Sequence, residues 1–288
     1  MTRQQPRSEN EAPKPVRLRA KILIVAAVAV VVALFAILHR YADRLTGSLV
    51  AAGVEVSLDE YPIQGIDVSW HQGDINFDSV AASGLEFVYI RSTFGVMRDT
   101  MYAQNLERAR AAGLKVGAYH FFHMDKDGAE QAANLMAAAG DTPLDMPVAI
   151  DLEERFRLID PVRRSTVIGR LRDMIAALES RGHRVMIYTN KNCYRKYIKD
   201  NFPDVELWIA AYDHPSGVPR EIGWTMQQYS MRGRVPGVRG DVDLDLFRGD
   251  RAQWDQWTAG GGVNIEKNGA FAVTRGGSAA QNYGIAKK

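Results

Sequence analysis

Eight short segments rich in β-branched and aromatic residues recur through the middle of the chain, and helical patterns separate the first five of them. The strand candidates are Gly65–Val68, Phe87–Ile90, Lys115–His120, Val148–Asp151, Val185–Tyr188, Leu207–Ala210, Thr225–Tyr229 and Val242–Leu244. The helix candidates are Phe77–Ser83, Tyr102–Ala112, Gly128–Ala139 and Pro161–Arg181, with a shorter one at Cys193–Asp200. This alternation predicts parallel strands with right-handed crossovers, and eight strands favour a closed barrel over an open sheet. The last three strands have too little sequence between them for full helices, so we expect that end of the barrel to be irregular.

The N-terminal region combines a basic segment with a long apolar run. Residues 1–21 carry a net charge of +4 whereas the whole chain of 288 residues carries +2, so the remainder is slightly acidic. That balance is not typical of a nucleic-acid-binding protein. Ile22–Leu38 is an unbroken apolar stretch of 17 residues, at the short end of what spans a bilayer.

The basic segment before this stretch predicts a cytoplasmic N-terminus, with everything after residue 40 outside the cytoplasm. We therefore expect a cytoplasmic tail (1–21), an uncleaved single-pass anchor in the inner, cytoplasmic membrane (22–38) and a linker (39–62), with the folded domain in the periplasm. A cleaved signal peptide is the alternative, although no convincing small-x-small cleavage site follows directly.

The folded domain is expected at residues 63–250 and a flexible C-terminal tail at 251–288. Gly260–Gly262 and Gly276–Ser278 are typical of a flexible linker. Trp254 and Trp257 lie near the start of this tail. Packing against the bottom of the barrel is favoured for them over a contact with carbohydrate.

The apolar run Val148–Ile150 ends in two carboxylates that flank a leucine. Because side chains alternate faces along a strand, Asp151 and Glu153 point the same way and Leu152 points into the opposite layer. Such a like-charge pair tends to keep one member protonated. An ionised carboxylate beside a neutral acid is what the cleavage of a glycosidic bond requires. The alternative is a strand end with two solvated acids.

Polar and aromatic residues also follow most of the other strand candidates. In a barrel of parallel strands, functional groups gather at the C-terminal ends of the strands. Those positions hold Asp67, Ser69, Trp70, His71, Gln72, Tyr119, His120, Tyr188, Asn190, Trp208, Tyr212, Gln228, Tyr229 and Asp243. Carboxylates accept hydrogen bonds from sugar hydroxyls and aromatic rings stack on the apolar faces of a pyranose, so this set favours a carbohydrate-binding cleft.

Five motifs occur in order along the same region. They are GIDVSWHQG (65–73), GAYHFF (117–122), IDLE (150–153), LWIAAY (207–212) and VDLDLF (242–247). Together they resemble glycoside hydrolase family 25, the Chalaropsis-type lysozymes, over about residues 63–247. The resemblance implies an α/β fold, an irregular TIM-like barrel of five β/α units followed by three strands. It also implies N-acetylmuramidase activity, which hydrolyses the β-1,4 bond between N-acetylmuramic acid and N-acetylglucosamine in peptidoglycan.

The resemblance further implies roles for individual residues. Glu153 matches the general acid and Asp151 its partner carboxylate, while Asp67 and Asp243 match the other acidic positions of the site. The expected substrate-binding residues are Tyr119, Tyr188, Trp208, Tyr212 and Gln228. Whether a protein carboxylate or the 2-acetamido oxygen of the substrate attacks the sugar stays open.

Two positions depart from the family pattern. Gln227 stands where Trp is common in relatives, which either trims a stacking surface or repacks the wall. Asp245 stands where Asn is common, and by strand parity it shares a face with Asp243. An acid at that position is expected to be structural or, if it faces inward, to perturb the ionisation of the site.

Two other function classes stay open: a non-catalytic peptidoglycan-binding scaffold on the same barrel, and a metal-dependent deacetylase acting on the same glycan. His120 and His123, with His71 and Asp67 at the same mouth, suggest a metal site. Residues i and i+3 diverge at a strand end, however, so we expect no metal and no cofactor. The expected partners are peptidoglycan glycan strands and, through residues 22–38, the membrane, without nucleic acid.

Overall fold

The computed structural model describes Val56 and residues 59–140, 143–154, 162–265 and 271–274. The strands are β1 (Gln64–Val68), β2 (Phe87–Phe94), β3 (Met97–Arg98), β4 (Lys115–Phe121), β5 (Val148–Leu152), β6 (Val185–Asn190), β7 (Glu206–Ala210), β8 (Met226–Gly233), β9 (Val242–Phe247), β10 (Gly262–Ile265) and β11 (Phe271–Thr274). The helices are α1 (Phe77–Ala82), α2 (Tyr102–Ala111), α3 (Gly128–Ala139), α4 (Arg164–Glu179), α5 (Lys191–Cys193), which continues as a π-helical turn (Tyr194–Ile198), and α6 (Arg251–Thr258).

Eight of the strands close into a barrel. The order around it is β1, β9, β8, β7, β6, β5, β4 and β2, and β2 pairs back with β1. All neighbours from β1 through β2, β4, β5, β6, β7 and β8 are parallel, whereas β9 is antiparallel to both β8 and β1. The short β3 pairs with the end of β2, and β10 and β11 form a separate two-stranded sheet.

The alternation of side chains along each strand builds two layers of core. Tyr89 of β2 points into the barrel, where it packs among other aromatic residues, while Val88 and Ile90 face α1 and α2 outside. Ala149 and Ile150 of β5 divide in the same way between the interior and the helices. A parallel strand covered by helices is apolar on both faces, which is why these segments read as nearly continuous hydrophobic runs.

Helix ends follow local signals in the sequence. The Asp127 side chain accepts from the Glu130 backbone N–H at 2.9 Å and caps the start of α3. Gly113 and Gly182 follow α2 and α4 with φ of +85° and +81°, a conformation that glycine adopts without steric cost. Each glycine leads almost directly into the next strand.

The predicted barrel is confirmed, with five β/α units followed by the three strands β7, β8 and β9. The reversed direction of β9 was not expected from the alternation. The expected anchor at 22–38 lies outside the described residues. Among the helices that the structure describes, none combines the length and apolar character needed to cross a membrane.

The sequence predicted a flexible tail from residue 251, but residues 251–258 form the helix α6. Asp250 and Gln253 build a capping box at its start, and both Trp254 and Trp257 are buried. Their rings pack against Phe247 at centroid distances of 5.2 Å each. The helix therefore seals the barrel end where β9 finishes, and the packing interpretation of the two tryptophans is the one that the structure supports.

Candidate active site

A cavity of about 270 Å³ opens at the C-terminal ends of the parallel strands. It is lined by Asp67, Ser69, His71, Gln72, Arg91, Tyr119, Asp151, Glu153, Tyr188, Trp208, Tyr212, Gln228, Met231 and Asp243. All nine site residues expected from the sequence are in this set. The barrel therefore brings together side chains that are up to 176 positions apart, from Asp67 to Asp243.

Four carboxyl groups reach the cavity from three strands. Asp151 is near the end of β5 and Glu153 follows that strand, while Leu152 between them is buried in the outer layer. Asp67 of β1 and Asp243 of β9 are direct partners in the antiparallel pairing of these strands. The parity argument for Asp151 and Glu153 thus describes the observed arrangement.

Gln228 is the centre of a hydrogen-bond chain on one wall. Its Oε1 accepts from Tyr188 Oη at 2.9 Å and from Tyr212 Oη at 3.1 Å. Its Nε2 donates to Asp67 Oδ2 at 2.7 Å. Because both amide ends are engaged, the Gln228 side chain has one orientation, and it links the exposed rim at Tyr212 to the buried Asp67.

Burial dominates the electrostatics of this cavity. It raises the pKa of Asp67 well above the ordinary range, and the charge of Asp243 adds to this, whereas the hydrogen bond from Gln228 opposes it. Burial is also the main cause that raises the pKa of the Tyr119 and Tyr188 phenols. Nearby carboxylates add to it, chiefly Asp67 for Tyr119 and Glu153 for Tyr188. Tyr119 and Tyr188 therefore stay neutral and keep their hydroxyl protons.

The aromatic residues differ in what they offer a ligand. Tyr212 is 46 % exposed at the rim, whereas Trp208 is only 2 % exposed. The Trp208 ring packs against Tyr89 and Tyr188 at 4.7 Å and 4.8 Å, and its Nε1 donates to Asp245 Oδ1 at 2.9 Å. Tyr212 thus presents an exposed ring to a ligand, and Trp208 mainly supports the floor of the cavity.

Arg91 is a lining residue that the sequence did not reveal. Its Nε donates to Asp99 Oδ2 at 2.9 Å, and its Nη2 forms an ion pair with the same oxygen at 2.9 Å. The guanidinium lies 5.1 Å above the Phe94 ring. A bulge between Arg91 and Thr93 changes the register against β4, so that Thr93 turns outward to His120. The strand predicted from the sequence ended at Ile90. Extending it by one residue would have placed Arg91 on the inner face, by the alternation of side chains along a strand.

The residues considered for a metal are engaged otherwise. His120 is fully buried outside the barrel interior, with Nδ1 at 2.7 Å from Thr93 Oγ1 and Nε2 at 3.0 Å from Gln131 Oε1. Burial lowers its pKa to about 4, so the ring is neutral. Across the described residues, no group of three or more His, Cys, Asp and Glu side chains is arranged to hold a metal ion.

Gln227 points away from the cavity. It is fully buried, and its Nε2 donates to the carbonyl oxygens of Ala211 and Asp213 at 2.6 Å and 2.8 Å. The residue thus fixes the loop after β7. Of the two interpretations of this departure, repacking of the wall fits its position and a trimmed stacking surface does not.

The chain is similar to a glycosyl hydrolase family and to proteins named as lysozymes. The model of Glycosyl hydrolases family 25 matches residues 66–238. The autolytic lysozyme of Clostridium acetobutylicum is 33% identical over 64% of this chain, and the chain spans only 56% of that relative's length. Lysozyme M1 of Streptomyces globisporus is 34% identical, with 68% of this chain and 71% of the relative covered.

The fold has counterparts among solved structures. A family 25 glycosyl hydrolase from Bacillus anthracis has a TM-score of 0.65 and 31% identity, over 70% of this chain and 96% of that one. The family match covers more than half of the chain. It includes three of the five motifs in full and GIDVSWHQG from its second residue, whereas VDLDLF (242–247) lies beyond it. The resemblance seen in the sequence is therefore confirmed: the chain belongs to glycosyl hydrolases family 25 and is a glycoside hydrolase.

Proposed function

We propose that this protein is a membrane-anchored N-acetylmuramidase that cleaves the β-1,4 bond between N-acetylmuramic acid and N-acetylglucosamine in peptidoglycan. The observation that carries the proposal is the convergence of Asp67, Asp151, Glu153 and Asp243 on one aromatic-walled cavity. Relatives named as lysozymes support the substrate class.

The proposed chemistry assigns different tasks to the acids of β5. In this proposal Glu153, which is partly exposed, donates a proton to the leaving oxygen, and the buried Asp151 provides the carboxylate beside it. The oxocarbenium-like transition state is stabilised by that negative charge. Asp151 acts either as the nucleophile or as the group that orients the 2-acetamido oxygen of the substrate. In both routes Glu153 then accepts a proton from the attacking water.

The decisive comparison uses Glu153→Gln beside Glu154→Gln. Glu154 is the adjacent acid, but it bonds Tyr197 Oη at 2.6 Å and Lys196 Nζ at 2.5 Å, which lower its pKa, with Lys196 the larger cause. With purified peptidoglycan, we expect Glu153→Gln to lower kcat by about 10²–10⁴-fold, and Glu154→Gln to keep wild-type kcat. Mass spectrometry of the products should show muropeptides that end in reducing N-acetylmuramic acid.

Contrary outcomes are equally clear. Intact glycan with the wild type, together with retained binding, would favour the scaffold function. Loss of activity with a chelator would favour a metal-dependent deacetylase. Equal activity of the Glu153→Gln and wild-type proteins would remove Glu153 from the mechanism.

The anchor and the wall-remodelling role are part of the same proposal. The apolar run at 22–38 and the preceding net charge of +4 support a single span with the barrel in the periplasm. Tethering would confine cleavage to the wall near the membrane, which suits local remodelling. Fractionation of cells that produce the full chain should recover it, uncleaved, in the membrane pellet after a high-salt wash. A shortened form in the soluble fraction would instead indicate a cleaved signal peptide.

A further inference from the structure

A fifth carboxyl group lies beneath the four that line the cavity. Asp245 is fully buried, and it pairs across the strands with Gly65, which has no side chain. This pair lies two residues further from the mouth of the barrel than the pair of Asp67 and Asp243. Asp245 Oδ1 accepts from Trp208 Nε1 at 2.9 Å. The pairing of β1 with β9 makes Asp245 the diagonal neighbour of Asp67 on the inner face of the barrel, and the two carboxyl groups interact through a side-chain hydrogen bond.

Two carboxyl groups bond to each other only if one of them holds a proton. Among the described residues, no N–H or O–H donor reaches Asp245 Oδ2. Each carboxyl accepts one hydrogen bond, Asp67 from Gln228 Nε2 and Asp245 from the Trp208 indole. Asp67 also lines the cavity, whereas Asp245 is fully buried beneath it. Because burial disfavours the charged form, Asp67 is the better-solvated anion and the proton belongs on Asp245.

The surroundings of Asp245 favour its neutral form. Burial raises its pKa, and the charges of Asp67 and Asp243 add to this, while the Trp208 hydrogen bond opposes it. The other titratable groups that interact with Asp245 are Tyr89 on β2 and Tyr229 on β8. Burial raises the pKa of both phenols, so both stay neutral and neither adds a charge beside Asp245.

We propose that Asp245 is a positioning residue, whose protonated carboxyl donates a hydrogen bond to Asp67 and holds Asp67 as an oriented anion at the floor of the cavity. Asp67 is then fixed from two sides, by Gln228 and by Asp245. The functional part of this inference rests on the proposed glycan hydrolysis, whereas the placement of the proton and the hydrogen bond is independent of that function.

Asp245→Asn is the sharpest test because it replaces the neutral acid with a permanent donor of nearly the same shape. Its Oδ1 accepts from Trp208 and its Nδ2 donates to Asp67. Asp245→Ala removes the donor altogether. With peptidoglycan as substrate, we expect Asp245→Ala to lower kcat at least about tenfold with little change in KM, and Asp245→Asn to restore kcat to within about threefold of wild type. Glu206→Gln, which alters a carboxyl that also bonds a tryptophan N–H but at the opposite end of the barrel, should keep wild-type kcat.

The second readout needs no activity. A carboxyl whose pKa is raised by folding favours the folded state at pH values below the unfolded pKa of about 4, and this stability is lost as pH rises toward the folded pKa. The full-length wild type should therefore lose stability relative to Asp245→Asn as pH rises from 4 to 8. One retained proton corresponds to a difference in Tm that grows by roughly 3–5 °C per pH unit until the folded pKa is reached.

A Tm difference that is constant from pH 4 to 8 would overturn the proposal, because no proton would be retained by the pair. An Asp245→Asn protein with the kcat of Asp245→Ala would also overturn it, because a charge rather than a donor would then be needed. If the wild type cleaves no glycan at all, the proposed function fails, and the comparison of Tm against pH alone decides where the proton lies.

Discussion

Trp257 offers the strongest test of whether α6 is a structural part of the barrel. It is fully buried, and its ring packs against Phe247 and Trp254 at centroid distances of 5.2 Å and 5.4 Å. The Arg184 guanidinium lies 5.2 Å above it, and its Nε1 donates to Glu206 Oε2 at 2.7 Å. Truncation to alanine thus removes a large buried ring and a hydrogen bond to a carboxylate.

The two contributions can be separated by two substitutions. Trp→Ala in a core costs roughly 3–5 kcal/mol, which for a domain of this size lowers Tm by about 6–20 °C. Trp257→Phe keeps most of the packing and loses the hydrogen bond to Glu206, which costs about 1.5–3 kcal/mol when the carboxylate is charged. We expect the phenylalanine variant to melt between the wild type and the alanine variant.

The hydrogen bond also has a pH signature. Burial raises the pKa of Glu206, and Arg184 and then Trp257 oppose that rise by favouring the ionised form. The deficit of Trp257→Phe should therefore be largest where Glu206 is ionised and should shrink as pH falls through the raised pKa. The packing loss in Trp257→Ala should persist at all pH values.

The assay is thermal unfolding of the full-length chain followed by near-UV circular dichroism, with Trp70→Ala as the matched control. Trp70 is 48 % exposed on the loop after β1, and removing an exposed side chain usually changes stability by about 0.5 kcal/mol or less. A Trp257→Ala protein that melts within about 2 °C of Trp70→Ala would refute the conclusion that α6 belongs to the core.

Two further predictions concern the outer layer and the interior. Burial holds the pKa of His120 near 4, so the ring takes up a proton when the protein unfolds at acid pH. Between pH 6.5 and 4, the free energy of unfolding of the wild type should therefore fall by about 3 kcal/mol relative to that of His120→Asn, measured by urea titration. Parallel dependences on pH in the two proteins would contradict this. Gly117→Ala would place a Cβ 2.4 Å from the Tyr89 ring and should lower the free energy of unfolding by about 1–3 kcal/mol. Gly169→Ala in α4, where a Cβ would meet nothing within 4 Å, should be neutral or stabilising. Equal effects of the two substitutions in urea unfolding would refute the close-packing argument.

Much of the barrel was predictable because its signals are local. The alternation of apolar runs and helical patterns identified all eight barrel strands, and parity along Asp151–Glu153 placed both carboxylates on the inner face. These features depend only on the repeat of two residues in a strand and on where helices begin and end. The family motifs then located the remaining acids.

The features that escaped prediction depend on register between strands. The bulge in β2 inserts one residue opposite β4 and separates the inward Arg91 from the outward Thr93, and nothing in the segment Arg91–Phe94 marks it. The adjacent Gln227 and Gln228 were predicted only in part, since parity sends one of them inward: Gln228 was expected in the cavity, whereas two interpretations of Gln227 stayed open. The structure assigns Gln228 to the cavity and Gln227 to the loop after β7.

The direction of β9 explains why this site has acids at two depths. Since β9 runs antiparallel to its neighbours, its first residues are at the mouth and its last are at the closed end, where Phe247 packs on α6. Asp243 therefore pairs with Asp67 beside the cavity, and Asp245 pairs with Gly65 beneath it. A parallel β9 would have sent Phe247 to the mouth and Asp243 toward the bottom. The reversal thus converts the Asp-Leu-Asp of the sequence into one acid that meets the ligand and one buried acid whose proton supports Asp67.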